Sequence, residues 1–125
     1  MLINQLEIPY IINYFDGHLA IKTDLLSLID NAKSESLTNK DDYYQDNISR
    51  LDWDKKDDWN REWVQKFLPL LHKNVDKMMN EIGFENHNVL CLWFQQYLKN
   101  GTHGWHVHGD NYTGVGLELV GQSGS

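Results

Sequence analysis

The sequence predicts an α+β fold in which two helices precede a β-rich C-terminal part. Three observations carry this reading. Apolar residues recur at three- and four-residue spacing from Trp59 to Ile82 and, less regularly, from Leu19 to Ile29. The stretch from His87 to Asn100 is instead a short run rich in aromatic and branched side chains, apolar on both faces of an extended chain from Val89 to Phe94 and more polar from Gln95. The first pattern is the period of a helix face, and the second has the composition of a strand.

The bulk properties set limits. The chain has 125 residues, 41% of them hydrophobic and 23% charged, which suits one modest domain. Eighteen acids against eleven bases leave a net charge of −7, unlike the basic patches that grip phosphate. No apolar run approaches the ~20 residues that span a bilayer. The opening MLINQLEIPY lacks the basic and apolar regions of a signal peptide. One cysteine, Cys91, allows no internal disulfide and fits a reducing compartment. A cytoplasmic domain is expected, without nucleic-acid or membrane partners.

In chain order, Leu2 to Phe15 has strand composition, with Pro9 confining it to an edge or to two short pieces. Asp16 stands where an N-cap would, ahead of a helix from about Gly17 to Ala32. From Lys33 to Asp58 the chain turns polar; nine acids and five bases between Ser34 and Glu62 leave −4 in that stretch. It is expected as an acidic, solvated loop over 33–58 with short ordered pieces around Ile48, Leu51 and Trp53. A flap pinned by Tyr43, Tyr44 and Trp53 is the other reading.

Asp57 and Asp58 then open the longer helix, where carboxylates meet the positive end of the helix dipole. Pro69 should kink or divide it, and Gly83 should stop it. Its Trp and Met stripe is core rather than cofactor contact. The run HNVLCLWFQQYLKN reads as one long strand covered on both sides in its first half, followed by a turn at Asn100–Gly101, a short strand at Trp105–His108 and another near Val115–Val120. One domain over 1–125 is expected: a helical part at 1–87, a β part at 88–120 and a flexible tail at 121–125.

The chemistry concentrates in T-H-G-W-H-V-H-G-D, where His103, His106 and His108 fall within six residues and Asp110 follows. On an extended chain His106, His108 and Asp110 project to one side. Two imidazoles and a carboxylate are mixed nitrogen and oxygen ligands, suited to iron and its neighbours. Calcium and magnesium would want more oxygens, and structural zinc would want cysteines. His18, His72 and His87 stand singly and are expected to be structural; Trp105 is a packing residue.

The order strand, turn, W-H-V-H-G-D-N-Y-T-G-V, strand resembles the iron(II)- and 2-oxoglutarate-dependent oxygenases. The likeness is closest to short phage and bacterial proteins related to prolyl hydroxylases. It covers about residues 88–119 and includes the aromatic, glutamine-bearing LCLWFQQYLKNGTHGWH. The resemblance implies a jelly-roll or double-stranded β-helix, here a partial one preceded and flanked by two helices. It implies Fe(II) as metal, 2-oxoglutarate as co-substrate and hydroxylation of a small molecule or protein side chain. Carried over, His108 and Asp110 match the His-x-Asp element, with His106 as competing first ligand. Tyr112 and Thr113 would hydrogen-bond the co-substrate or the ligands.

Two departures accompany the match. No histidine follows His108, although the family's distal ligand comes several strands later. No Arg or Lys follows Lys99, although the family pairs such a cation with the far carboxylate of 2-oxoglutarate. The expectation is therefore the N-terminal half of such a domain, a truncated, split or disrupted copy without turnover of its own. A complementing C-terminal half or a second copy would complete the sheet. Two other functions fit the sequence. One is a cupin-like metal protein using His103, His106 and His108 without 2-oxoglutarate. The other is a non-catalytic phage accessory or interaction module using the Trp-rich helix and the acidic loop.

Overall fold

The computed structural model describes residues 1–4, 10–36 and 46–102. Its elements are α1 (His18–Asp30), β1 (Glu35–Ser36), β2 (Asp46–Leu51), a 3-10 turn (Trp53–Lys55), α2 (Glu62–Glu81) and β3 (Gln95–Thr102). The fold is mixed, two helices beside a small antiparallel sheet in the order β1-β2-β3. Most of that sheet is the β2–β3 pair, since β1 adds only two residues.

α1 begins one residue later than Asp16 would dictate. The cap position is Gly17, at φ 86°. Asp16 is diverted: its backbone N–H donates to Asn74 Oδ1 at 2.8 Å, and Asn74 Nδ2 donates back to Asp16 O at 3.2 Å. A side chain at Gly17 would also meet Leu70, whose Cδ1 lies 2.9 Å from an added Cβ. Both the backbone angle and the close approach therefore call for glycine. His18 helps close the first turn through Nδ1, 2.8 Å from Phe15 O.

α2 starts at Glu62, after a capping residue Arg61, rather than at Asp57 or Asp58. Asp58 serves the preceding turn instead, its carboxylate accepting the N–H of Asn60 at 3.0 Å. Pro69 does not divide the helix, which runs through it for 20 residues. The proline sits on the exposed side, where the missing amide faces water instead of a dry core. The C-terminus stops as expected. Gly83 takes φ 91°, Phe84 N–H donates to Met79 O and Gly83 N–H to Asn80 O, closing a Schellman motif.

The helical stripe forms the core. Trp63, Val64 and Phe67 of α2 bury against Leu25 of α1 and against Phe94, with Phe15, Ile21, Leu28, Leu71 and Leu92 around them. Phe15 stacks on Phe67 at 5.4 Å and Trp63 meets Phe94 edge-on at 5.8 Å. Ile48 and Leu51 of β2 form a second small cluster. Burial of this aromatic-rich set, at roughly 25 cal/mol per Å² of apolar surface, is the main force holding the helices together.

Three strand expectations are corrected. Residues 1–4 and 10–15 form no strand, although Leu2–Phe15 has strand composition. Residues 88–94 are irregular, and β3 begins only at Gln95. Their main chain is spent elsewhere: Leu92 N–H donates to Lys56 O, while Leu92 O and Phe94 N are taken by side chains. Asn100–Gly101 is no turn but part of β3. Between the pairs Ile48↔Tyr97 and Asp46↔Thr102, β2 advances by two residues and β3 by five, so the register shifts there.

The 33–58 stretch is more structured than a solvated loop. It holds β1, β2 and the Trp53–Lys55 turn, and the pieces around Ile48, Leu51 and Trp53 are indeed ordered. Tyr43 and Tyr44 lie outside the described residues.

Candidate functional site

The expected ligands His106, His108 and Asp110, the neighbouring His103 and Trp105, and the co-substrate residues Tyr112 and Thr113 lie outside the described residues. The structure does describe the strand that delivers the chain to them. β3 ends at Thr102, four residues before His106.

The entrance to β3 is fastened by Asp52. Its carboxylate is fully enclosed. Oδ1 accepts the N–H of Phe94 at 2.8 Å; Oδ2 accepts Arg61 Nη1 at 2.6 Å and the Trp63 indole N–H at 2.9 Å. Arg61 in turn donates to Leu92 O at 2.7 Å and, through Nε, to Asp58 O at 2.7 Å. A fully buried carboxylate held by three donors from three parts of the chain acts as a fastener. It ties the turn after β2, the first turn of α2 and the residues leading into β3 to one point.

Arg50 does the same from the other side. It donates through Nη2 to Ile29 O and Ala32 O at 3.0 and 2.9 Å, through Nε to Ser34 Oγ at 2.8 Å, and through Nη1 to Gln96 Oε1 at 3.2 Å. Its guanidinium also lies 5.3 Å over the Phe94 ring. One cation thus satisfies the carbonyls at the end of α1 and links them to β3.

Along β3 an exposed polar relay appears. Trp93 Nε1 donates to Gln95 Oε1 at 3.0 Å, and Gln95 Nε2 donates to the Tyr97 hydroxyl oxygen at 2.6 Å. Because that oxygen accepts, its own hydrogen remains to be given outward. Trp53 stands edge-on to Trp93 at 4.5 Å, with Lys56 Nζ 4.5 Å from its ring centre. Gln95 and Tyr97 share one side of the strand, so the aromatic and amide groups line a single surface.

The singly placed histidines lie on the two helices and just after α2. His18 closes the α1 start. His87 Nε2 lies 3.1 Å from Asp76 Oδ1 without the alignment of a hydrogen bond, and its ring is 6.4 Å from that of His72. Among the described residues no group of three His, Cys, Asp or Glu side chains could hold a metal ion. No helix among them is long and apolar enough to cross a membrane.

Sequence reasoning missed Asp52 and Arg61, because in a run of nine acids one carboxylate looks like another. The available signal was local: Asp52 is flanked by Leu51 and Trp53, and apolar neighbours on both sides favour an enclosed acid. No family model, no curated protein and no solved structure matches the chain.

Proposed function

We propose that this chain carries the metal-binding strand of an iron(II)- and 2-oxoglutarate-dependent oxygenase, with His108 and Asp110 as ligands and His106 as the competing first ligand. The observation that carries the reading is the run His106-x-His108-x-Asp110, placed four residues beyond a paired strand whose entrance is fastened from two sides. The donor set fits the ion: imidazole nitrogen with carboxylate oxygen, and no cysteine nearby, suits iron. Iron bound there would supply the redox chemistry toward dioxygen, with 2-oxoglutarate as co-substrate.

The remaining roles fall to the chain's own side chains. Tyr112 and Thr113 would orient the co-substrate by hydrogen bonds, and the outward hydrogen of Tyr97 would serve a carbonyl or carboxylate on the same surface. The small sheet would then be part of a double-stranded β-helix. The substrate class is a small molecule or a protein side chain, handled in the cytoplasm.

Metal titration tests the reading, with Co(II) as a spectroscopic stand-in for Fe(II). The chain should bind it weakly, since only two or three ligands are present, and His108→Ala and Asp110→Ala should each abolish the signal. With no Arg or Lys beyond Asp110, no 2-oxoglutarate-dependent succinate should form from these 125 residues alone. Co(II) binding by His108→Ala and Asp110→Ala as tight as that of the unsubstituted chain sinks the proposal. Loss of binding in His103→Ala would instead favour a three-histidine, cupin-like site.

A further inference from the structure

β3 carries the chain's single Asn-Gly pair, and that pair falls where the sheet is out of register. Of twelve asparagines, only Asn100 is followed by a glycine. β3 pairs with β2 at Gln95, Gln96 and Tyr97, and next at Thr102. In between, Leu98, Lys99, Asn100 and Gly101 stand against Asn47 alone. A regular antiparallel ladder gives each residue one facing partner, and four against one breaks it. This part of the strand is also open to water. Tyr97 and Leu98 are 42% and 49% exposed, and Lys99 is exposed as well.

These placements favour a reaction that needs no enzyme. The backbone nitrogen of the residue after an asparagine attacks the side-chain carbonyl carbon. A new C–N bond closes a succinimide ring, and the Cγ–Nδ2 bond breaks to release ammonia. Water then opens either carbonyl of the ring. One opening leaves aspartate, and the other leaves isoaspartate, with the main chain rerouted through the side chain. Nothing is oxidised or reduced, and water is the only co-reactant.

Two features of a folded chain oppose this attack. A β-carbon on the following residue crowds the nucleophilic nitrogen, and a regular strand holds ψ near about +135° with its amides committed to the ladder. Gly101 removes the first obstacle and the register shift removes the second. We infer that Asn100 is a site of spontaneous deamidation in the folded chain, with the backbone nitrogen of Gly101 as the nucleophile.

Other asparagines are held in ways that oppose the same attack. The Asn74 side chain is engaged by Asp16 and by Leu70 O, and the N–H of Ala32, the nucleophile for Asn31, donates to Ile29 O. Either product at Asn100 adds one negative charge to a chain already at −7. Isoaspartate also lengthens the main chain by one methylene between the pairs Ile48↔Tyr97 and Asp46↔Thr102. The chemistry requires no metal, so it stands apart from the reading of His108 and Asp110.

Peptide mapping by mass spectrometry tests this on the full chain, kept folded at mildly alkaline pH. Asn100 should show the mass gain of an amide turned acid before any other asparagine does, with isoaspartate at that position. Its rate in the folded chain should lie within about tenfold of the rate in guanidinium chloride, and Gly101→Ala should slow it by about tenfold or more. Circular dichroism checks the fold of Gly101→Ala. Where the fold is altered, the two chains are compared in guanidinium chloride, where crowding by the added β-carbon persists. Stronger protection of Asn100 in the folded chain overturns the inference. So does earlier loss at another asparagine, or a Gly101→Ala rate equal to that of the wild type.

Discussion

Asp52 and Arg61 form an enclosed ion pair, with Arg61 Nη1 2.6 Å from Asp52 Oδ2 and side-chain exposures of 8% and 0%. The carboxylate also accepts from Phe94 and Trp63, so its charge is spread over three donors. Removing one partner strands the other in a dry place. Asp52→Ala should therefore lower the unfolding free energy by about 3–5 kcal/mol, measured by urea titration. A loss below ~1 kcal/mol would show that this hub does not hold the molecule together.

Gly17 and Gly83 separate backbone strain from steric clash. Both have positive φ, 86° and 91°. Each Gly→Ala change should cost about 1–2 kcal/mol for the left-handed backbone. Only Gly17 also faces a neighbour, Leu70 Cδ1 at 2.9 Å, while nothing lies within 4 Å of Gly83. Thermal melts should rank Gly17→Ala below Gly83→Ala, and the reverse order would contradict the close packing of α1 against α2.

Pro69 is exposed within a continuous helix. Replacement by Ala restores an amide and removes the ring's conflict with the preceding turn, against a smaller gain of freedom in the unfolded chain. Pro69→Ala should stabilise by about 1–3 kcal/mol, read as a higher urea midpoint at unchanged slope.

Arg50 reaches the carbonyls of Ile29 and Ala32 together with Ser34 and Gln96. A lysine has one nitrogen where the guanidinium has three, so it cannot serve all four acceptors at once. Arg50→Lys should cost about 1–3 kcal/mol and speed amide exchange in the last turn of α1. Unchanged exchange there would mean that Arg50 does not couple the helix to the sheet.

Much of the architecture was legible because it depends on local patterns. The three- and four-residue spacing from Trp63 to Met79 needs only the helix period to be read, and Gly83 needs only the rule that a left-handed residue ends a helix. The boundaries misread were those decided by competition for hydrogen bonds. Asp16 looks like a cap until Asn74, 58 positions away, takes its backbone amide. Residues 88–94 look like a strand until Asp52 and Arg61 claim Phe94 N and Leu92 O.

By itself the sequence determined the two amphipathic helices, the helix stop, the aromatic core and the histidine–aspartate run, because period and composition are properties of neighbours along the chain. Only the tertiary structure decided that Asp52 is enclosed, that Arg50 joins α1 to β3, and that Asn100–Gly101 continues β3 rather than turning. Those outcomes depend on which distant donor or acceptor is nearest in space, and a buried polar group must take whichever partner the packing brings to it.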